Sequence, residues 1–346
     1  MTSDDTLSDD ALRRLPKAEL HVHLDGSLRP GTMLELARER GVWMPAGEVG
    51  ALARYMLVDD AASLEEYLER FALTLAVMQD ADALERIAYE CVIDHAVEGV
   101  DYVEVRFCPL LNTDRGLTAD EVLDAALRGM RRAERETPIR SSLIVCALRS
   151  HEPRRTLDMA ELAIAYRDQG VCGFDIAGGE AGHPVVDHRE AFDHAAEADM
   201  PITIHAGEGF GPASIRQALD AGHARRIGHG TRLFEDPALL EEVRSRQIPL
   251  EVCLTSNVQT RVVPSHAEHP ARRYSEVGIP ISLGTDNRLM SGVTLVDEYR
   301  HARDSLGLTR DQLVAVARSG FEHAFVERET RALLLATFDA KVARLG

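Results

Sequence analysis

No cluster of lysine and arginine stands out in this 346-residue chain, and acidic residues outnumber basic ones 57 to 39, for a net charge of −18. Contact with a phosphate backbone needs a basic face, so no nucleic-acid partner is expected, and a small, roughly neutral substrate fits better. No apolar run approaches the roughly 18 residues that a membrane-spanning helix needs. The polar, acidic start (Met1 to Asp10) lacks the basic-then-apolar order of a signal peptide. The five cysteines (Cys91, Cys108, Cys146, Cys172 and Cys253) form no CxxC pair and lie mostly inside apolar runs. That argues against a disulfide framework and for reduced core thiols in a cytoplasmic protein. No Gly-rich phosphate fingerprint follows the first strand, which disfavours a doubly wound open sheet. No repeat, low-complexity tract or Pro/Gly/Ser linker divides the chain. A single domain over residues 1–346 is expected, with residues 1–15 as a flexible acidic lead-in.

What is present is a soluble-protein composition, 45% apolar and 28% charged, sufficient for a sizeable core. Ala18–Gly26 alternates as a strand does. Further β-rich segments follow at Tyr102–Phe107, Leu143–Ala147, Val171–Ile176, Pro201–His205, Arg226–Gly228, Ile248–Cys253 and Ile281–Thr285. Amphipathic stretches separate them, at Thr118–Arg135, Arg155–Asp168, Glu190–Ala198, Pro212–Ala221, Asp236–Arg246 and His269–Val277. Eight strand–helix units in succession predict an α/β fold, a (β/α)8 TIM barrel. The first connection holds extra helices, at Thr32–Arg40, from a capping box at Ser63-Leu-Glu-Glu66 towards Met78, and at Asp82–Val97. Three more helical stretches close the chain, at Thr294–Ser305, Thr309–Phe325 and Glu327–Leu345.

The polar residues at these strand ends form a pattern. Strand one carries His21-Val-His23, strand five ends at His205, strand six runs into His229, and strand eight is followed by Asp286. In a barrel all of these converge on the C-terminal mouth. The two-residue period puts His21 and His23 on one face, where both can reach one ion at ~2.0–2.1 Å. With His205 and Asp286 they make a three-His, one-carboxylate set suited to one Zn(2+) per chain, or to iron or manganese. Glu208, carried round by the turn at Gly207, faces the substrate as a proton donor or acceptor. His229 is assigned to orienting or deprotonating the attacking water. Taken singly each has a plainer reading: packing for the histidines, a turn or cap for Asp286, a solvated loop for Glu208. It is their joint placement that argues for a metal site.

The residues resemble the adenosine deaminase family of metal-dependent amidohydrolases. The resemblance is carried by Pro16-Lys-Ala-Glu-Leu-His-Val-His-Leu-Asp-Gly-Ser27, Gly173-Phe-Asp-Ile-Ala-Gly178, Ile204-His-Ala-Gly-Glu208, Arg226-Ile-Gly-His-Gly230, Leu250-Glu-Val-Cys-Leu-Thr-Ser-Asn257 and Leu283-Gly-Thr-Asp-Asn287. It implies zinc held by His21, His23, His205 and Asp286, with His23 also bordering the substrate. Glu208 would protonate purine N1, and His229 would orient the water. Asp25 would meet the ribose 5′-hydroxyl, the N–H of Gly178 purine N3, and Asn287 purine N7. The implied activity is hydrolytic deamination of adenosine and 2′-deoxyadenosine to the inosines plus ammonia, in a cytoplasmic monomer or weak homo-oligomer. Deamination of 6-aminodeoxyfutalosine or adenine is the alternative, and a non-catalytic purine-binding protein a remote one. The chain departs from the family pattern at Asn287, where a second aspartate is frequent, at Gly179, where an acid is frequent, and at Leu254, where proline is usual.

Overall fold

The computed structural model describes residues 6–58 and 70–345. Eight parallel strands form two four-stranded runs. The first holds β1 (Lys17–His23), β2 (Val100–Phe107), β3 (Arg140–Leu148) and β4 (Val171–Ala177). The second holds β5 (Thr203–Ala206), β6 (Arg226–His229), β7 (Leu250–Val252) and β8 (Ile281–Leu283). Two bridges close the ring, Phe174 with Ile202 and Val22 with Asp286. At the second, His23 N–H donates to the Asp286 carbonyl (2.8 Å) and Asp286 N–H to the His21 carbonyl (2.9 Å). The result is the closed α/β barrel expected from the alternation, with helices outside it.

The apolar core lies between strands and helices, where Leu20, Val22, Val103, Val105, Phe174 and Ile204 are buried. Strand alternation sends the other side chains inward, and these are largely charged: Glu19, Glu104, Arg106, Asp175, Arg226 and Glu251 are all buried. They persist there because they are paired. Arg226 meets Glu104 (2.5 Å) and Glu251 (2.6 Å). Arg106 meets Asp175 and Glu251, each at 2.8 Å.

Residues 9–15 differ from the flexible lead-in expected of them. Asp9–Arg14 is a helix whose N-cap, Ser8, accepts from Ala11 N–H, with acids in its first turn and arginines in its last. Leu12 and Leu15 are buried, and Lys17 Nζ donates to the carbonyls of Leu12 (3.0 Å) and Leu15 (2.6 Å). The buried Ala11, Leu12 and Leu15 outweigh the acidic composition. The mixed region after Gly41 also contains a helix, Val49–Met56, which buries Leu52 and Met56. The capping box at Ser63 lies outside the described residues. Among the described residues, no helix is long and apolar enough to cross a membrane.

Candidate active site

The C-terminal ends of β1, β5 and β6 and the segment after β8 bring His21, His23, His205, His229 and Asp286 together. His23 Nε2 lies 3.0 Å from His205 Nε2 and 3.4 Å from Asp286 Oδ1. His21 Nε2 lies 3.5 Å from Asp286 Oδ1. Ligand atoms held ~2.0–2.1 Å from one ion in tetrahedral or similar geometry sit roughly 3–3.5 Å apart, so these separations fit a single metal ion. Ligand atoms of His21, His205, His229 and Asp286 also lie within 4.8 Å of one another, which brings His229 into the same cluster. His21 Nε2 is buried with no hydrogen-bond partner, an arrangement a cation would satisfy. Burial holds the His23 imidazole neutral, well below its ordinary value, as a lone-pair donor to a metal must be, and it holds the neighbouring His229 ring neutral as well.

A surrounding layer orients the rings. His21 Nδ1 faces Glu251 Oε2 at 2.9 Å, and His205 Nδ1 faces Asp175 Oδ2 at 2.9 Å. The one guanidinium of Arg106 holds both carboxylates. Burial alone would push Glu251 up, yet Arg106 and Arg226 keep it well below the carboxylate range. Burial likewise opposes ionisation of Asp175, and His205 with Arg106 overcomes it. Such carboxylate–histidine pairs leave Nε2 with its lone pair and raise its basicity. Asp286 accepts from Ser256 Oγ (2.6 Å). His229 and Asp286 both adopt positive φ, +61° and +57°, strain of the kind that functional sites retain. Gly228 gives the rings room, since a Cβ there would lie 3.0 Å from His21 Cε1 and 3.2 Å from His205 Cα.

Glu208 is buried, with Oε2 at 3.6 Å from His229 Nε2 and Oε1 accepting from Thr260 Oγ1 at 3.4 Å. Asp25 is buried beyond β1. Its Oδ1 has no hydrogen-bond partner, and burial raises its pKa to about 7. Asn287 packs its buried, unpartnered Oδ1 against Gly26. Gly178 follows β4 at φ +99°, where a Cβ would lie 3.9 Å from Arg149 N.

Several residues of this layer carried no assigned role in the sequence reading: Glu251, Asp175, Arg106, Ser256, Asn257 and Glu180. Glu251, Asp175, Ser256 and Asn257 stand in the motifs quoted above, and that was the available signal. The Glu180 carboxylate accepts from three consecutive backbone N–H groups, those of Gly207 (3.0 Å), Glu208 (2.8 Å) and Gly209 (2.9 Å). It thereby fixes the loop that aims Glu208.

The adenosine deaminase family model matches residues 16–341. The chain is 42% identical to the adenosine deaminase of Mycobacteroides abscessus over 94% of each chain. Among solved structures, adenine deaminase from Arthrobacter aurescens superposes with a TM-score of 0.88 at 25% identity, covering 95% of this chain and 99% of that one. An amidohydrolase from Burkholderia ambifaria, with bound Zn, superposes with a TM-score of 0.87 at 26% identity, covering 97% and 94%. With matches of this extent and a barrel mouth of this composition, the chain belongs to the adenosine deaminase family.

Proposed function

We propose that this protein is a zinc-dependent hydrolase that converts adenosine and 2′-deoxyadenosine to inosine and 2′-deoxyinosine, releasing ammonia. The observation that carries this reading is the meeting of His21, His23, His205 and Asp286 with Glu208 and His229 at one end of the barrel. The first four would hold one zinc ion per chain. A bound zinc would supply a nucleophile at neutral pH by lowering the pKa of water to about 7.

The remaining work falls to the chain's own groups. Glu208, buried near His229, donates a proton to purine N1, so negative charge does not build on the ring. His229, with Nε2 3.6 Å from Glu208 Oε2, orients the attacking water beside it. Gly178, just beyond β4, offers its N–H to purine N3. Asn287, with Oδ1 turned against Gly26, keeps its amide hydrogens for N7. Asp25 favours a nucleoside over a free base. Its buried Oδ1 lacks a partner, and a ribose 5′-hydroxyl supplies one. Adenine has no such group, and aminodeoxyfutalosine carries a substituent there. A buried acceptor left unmet costs about 1–3 kcal/mol. We further propose a cytoplasmic single-domain protein, acting as a monomer or weak homo-oligomer.

The test offers adenosine, adenine and 6-aminodeoxyfutalosine in parallel to the zinc-loaded protein and measures ammonia release. Adenosine is expected to turn over fastest. A rate on adenosine far below either competitor overturns the substrate assignment.

A further inference from the structure

Where His21 and His205 turn Nδ1 to a carboxylate, His229 turns its Nδ1 to an amide: Asn257 Nδ2 lies 3.1 Å away. The chain of contacts behind that amide decides which His229 nitrogen carries the proton. It starts at Ala271, whose backbone N–H donates to His269 Nδ1 at 3.1 Å. His269 is buried, and burial depresses its pKa to about 3, so its ring is neutral. A neutral imidazole that accepts at one nitrogen carries its hydrogen on the other. His269 Nε2–H therefore donates to Asn257 Oδ1, 3.1 Å away. The same oxygen accepts from Thr231 Oγ1 at 2.6 Å. Amide orientation is ordinarily ambiguous, but the His269 Nε2–H can only donate, which settles its partner atom as the carbonyl oxygen and makes the Thr231 hydroxyl a donor to it as well. The atom facing His229 Nδ1 is then the NH2, which can only donate. His229 Nδ1 must hold a lone pair, and the ring hydrogen sits on Nε2.

We propose that His269 and Asn257 are positioning residues that fix His229 as an Nε2–H donor. His229 then holds the attacking water by donating to its oxygen, and cannot serve as a base at Nε2. It also cannot offer Nε2 to a metal. His21 and His205 have the opposite arrangement, with Nδ1 on Glu251 and Asp175. One pocket thus sets two tautomers by placing an acceptor or a donor at Nδ1. The tautomer follows from the hydrogen-bond chain alone. Its effect on turnover rests on the function proposed above.

The experiment records two-bond proton–nitrogen spectra of zinc-loaded protein labelled with 15N-histidine, with the His229 pattern identified by its loss in His229→Gln. The expected pattern is pyrrole-type nitrogen at Nε2 and pyridine-type at Nδ1; the reverse, or a doubly protonated ring, overturns the proposal. Asn257→Asp places an acceptor against Nδ1 and should move the proton there. It should keep its metal and lower kcat on the order of 10²–10⁴-fold, in line with other wrong-tautomer histidines, with KM little changed. An unchanged kcat, or loss of the metal, overturns the positioning role. The wild-type spectrum decides the tautomer whatever becomes of the variant. Protein inert towards adenosine but showing Nε2–H would sink the function and leave the relay standing. Active protein showing Nδ1–H would do the opposite.

Discussion

Glu180 shows how a single side chain can govern a site it does not enter. Three successive amides around a left-handed glycine, Gly207 at φ +74°, form the kind of concave nest that binds anions. Here the anion is the protein's own Glu180 carboxylate. The nest fixes the peptide planes on both sides of Glu208 and so the direction of its side chain. In Glu180→Gln one acceptor oxygen becomes an NH2 that confronts an N–H, and the loop must turn. Misplacement of a reacting group by about 1 Å costs ~10²-fold. That is the loss expected in kcat, with metal content unchanged. The loss should nearly vanish when Glu180→Gln is made in a Glu208→Gln background, because both changes then act on the same proton transfer. Additive losses would instead mean a general structural defect.

At the scale of elements, the helix Leu254–Gln259 carries Ser256 and Asn257, which hold Asp286 and His229. Its first turn is capped from a distant helix, where Glu298 accepts from the N–H groups of Leu254 (2.8 Å) and Thr255 (3.2 Å). Burial raises the Glu298 pKa to about 8, against about 4.3 in an unfolded chain. Between these values the folded state binds more protons than the unfolded one, so stability falls as pH rises. The contribution is fully present below the unfolded value and is lost as pH passes through the folded one. Glu298 therefore pulls the melting temperature down between pH 5 and 8, against the buried neutral histidines, whose contribution grows over the same range, and Glu298→Gln, of the same shape but unable to ionise, should remove that pull and make the slope more positive. A slope identical in both proteins would refute the assignment. None of this was visible in Thr294–Ser305 read as a helical stretch, since a buried glutamate there has the same periodicity as an exposed one.

For the whole molecule, the barrel and its mouth were legible because β-rich runs recur between amphipathic stretches and because His21, His23, His205, His229 and Asp286 fall at run ends. What could not be read was pairing across the barrel. Glu104, Arg106, Asp175, Arg226 and Glu251 look like ordinary strand charges until four strands bring their charged ends within 3 Å of their partners. The acidic start misled for a related reason, since Leu12 and Leu15 have meaning only against the barrel base they cover. The closed topology also assigns the metal site a structural task. The run β1–β4 meets the run β5–β8 through single bridges, and one of them joins Val22, between His21 and His23, to Asp286 itself. A metal held by His21 and His23 on one run and by His205 and Asp286 on the other would clamp that seam. A ligand that binds only the folded state stabilises it by about 4 kcal/mol at 1,000 times its Kd. Chelation should thus lower the melting temperature by several degrees and zinc should restore it, while His21→Ala and Asp286→Ala should melt at the same temperature with or without zinc. A wild-type melting temperature indifferent to chelation, in protein shown to have lost its metal, would separate the site from the closure of the barrel.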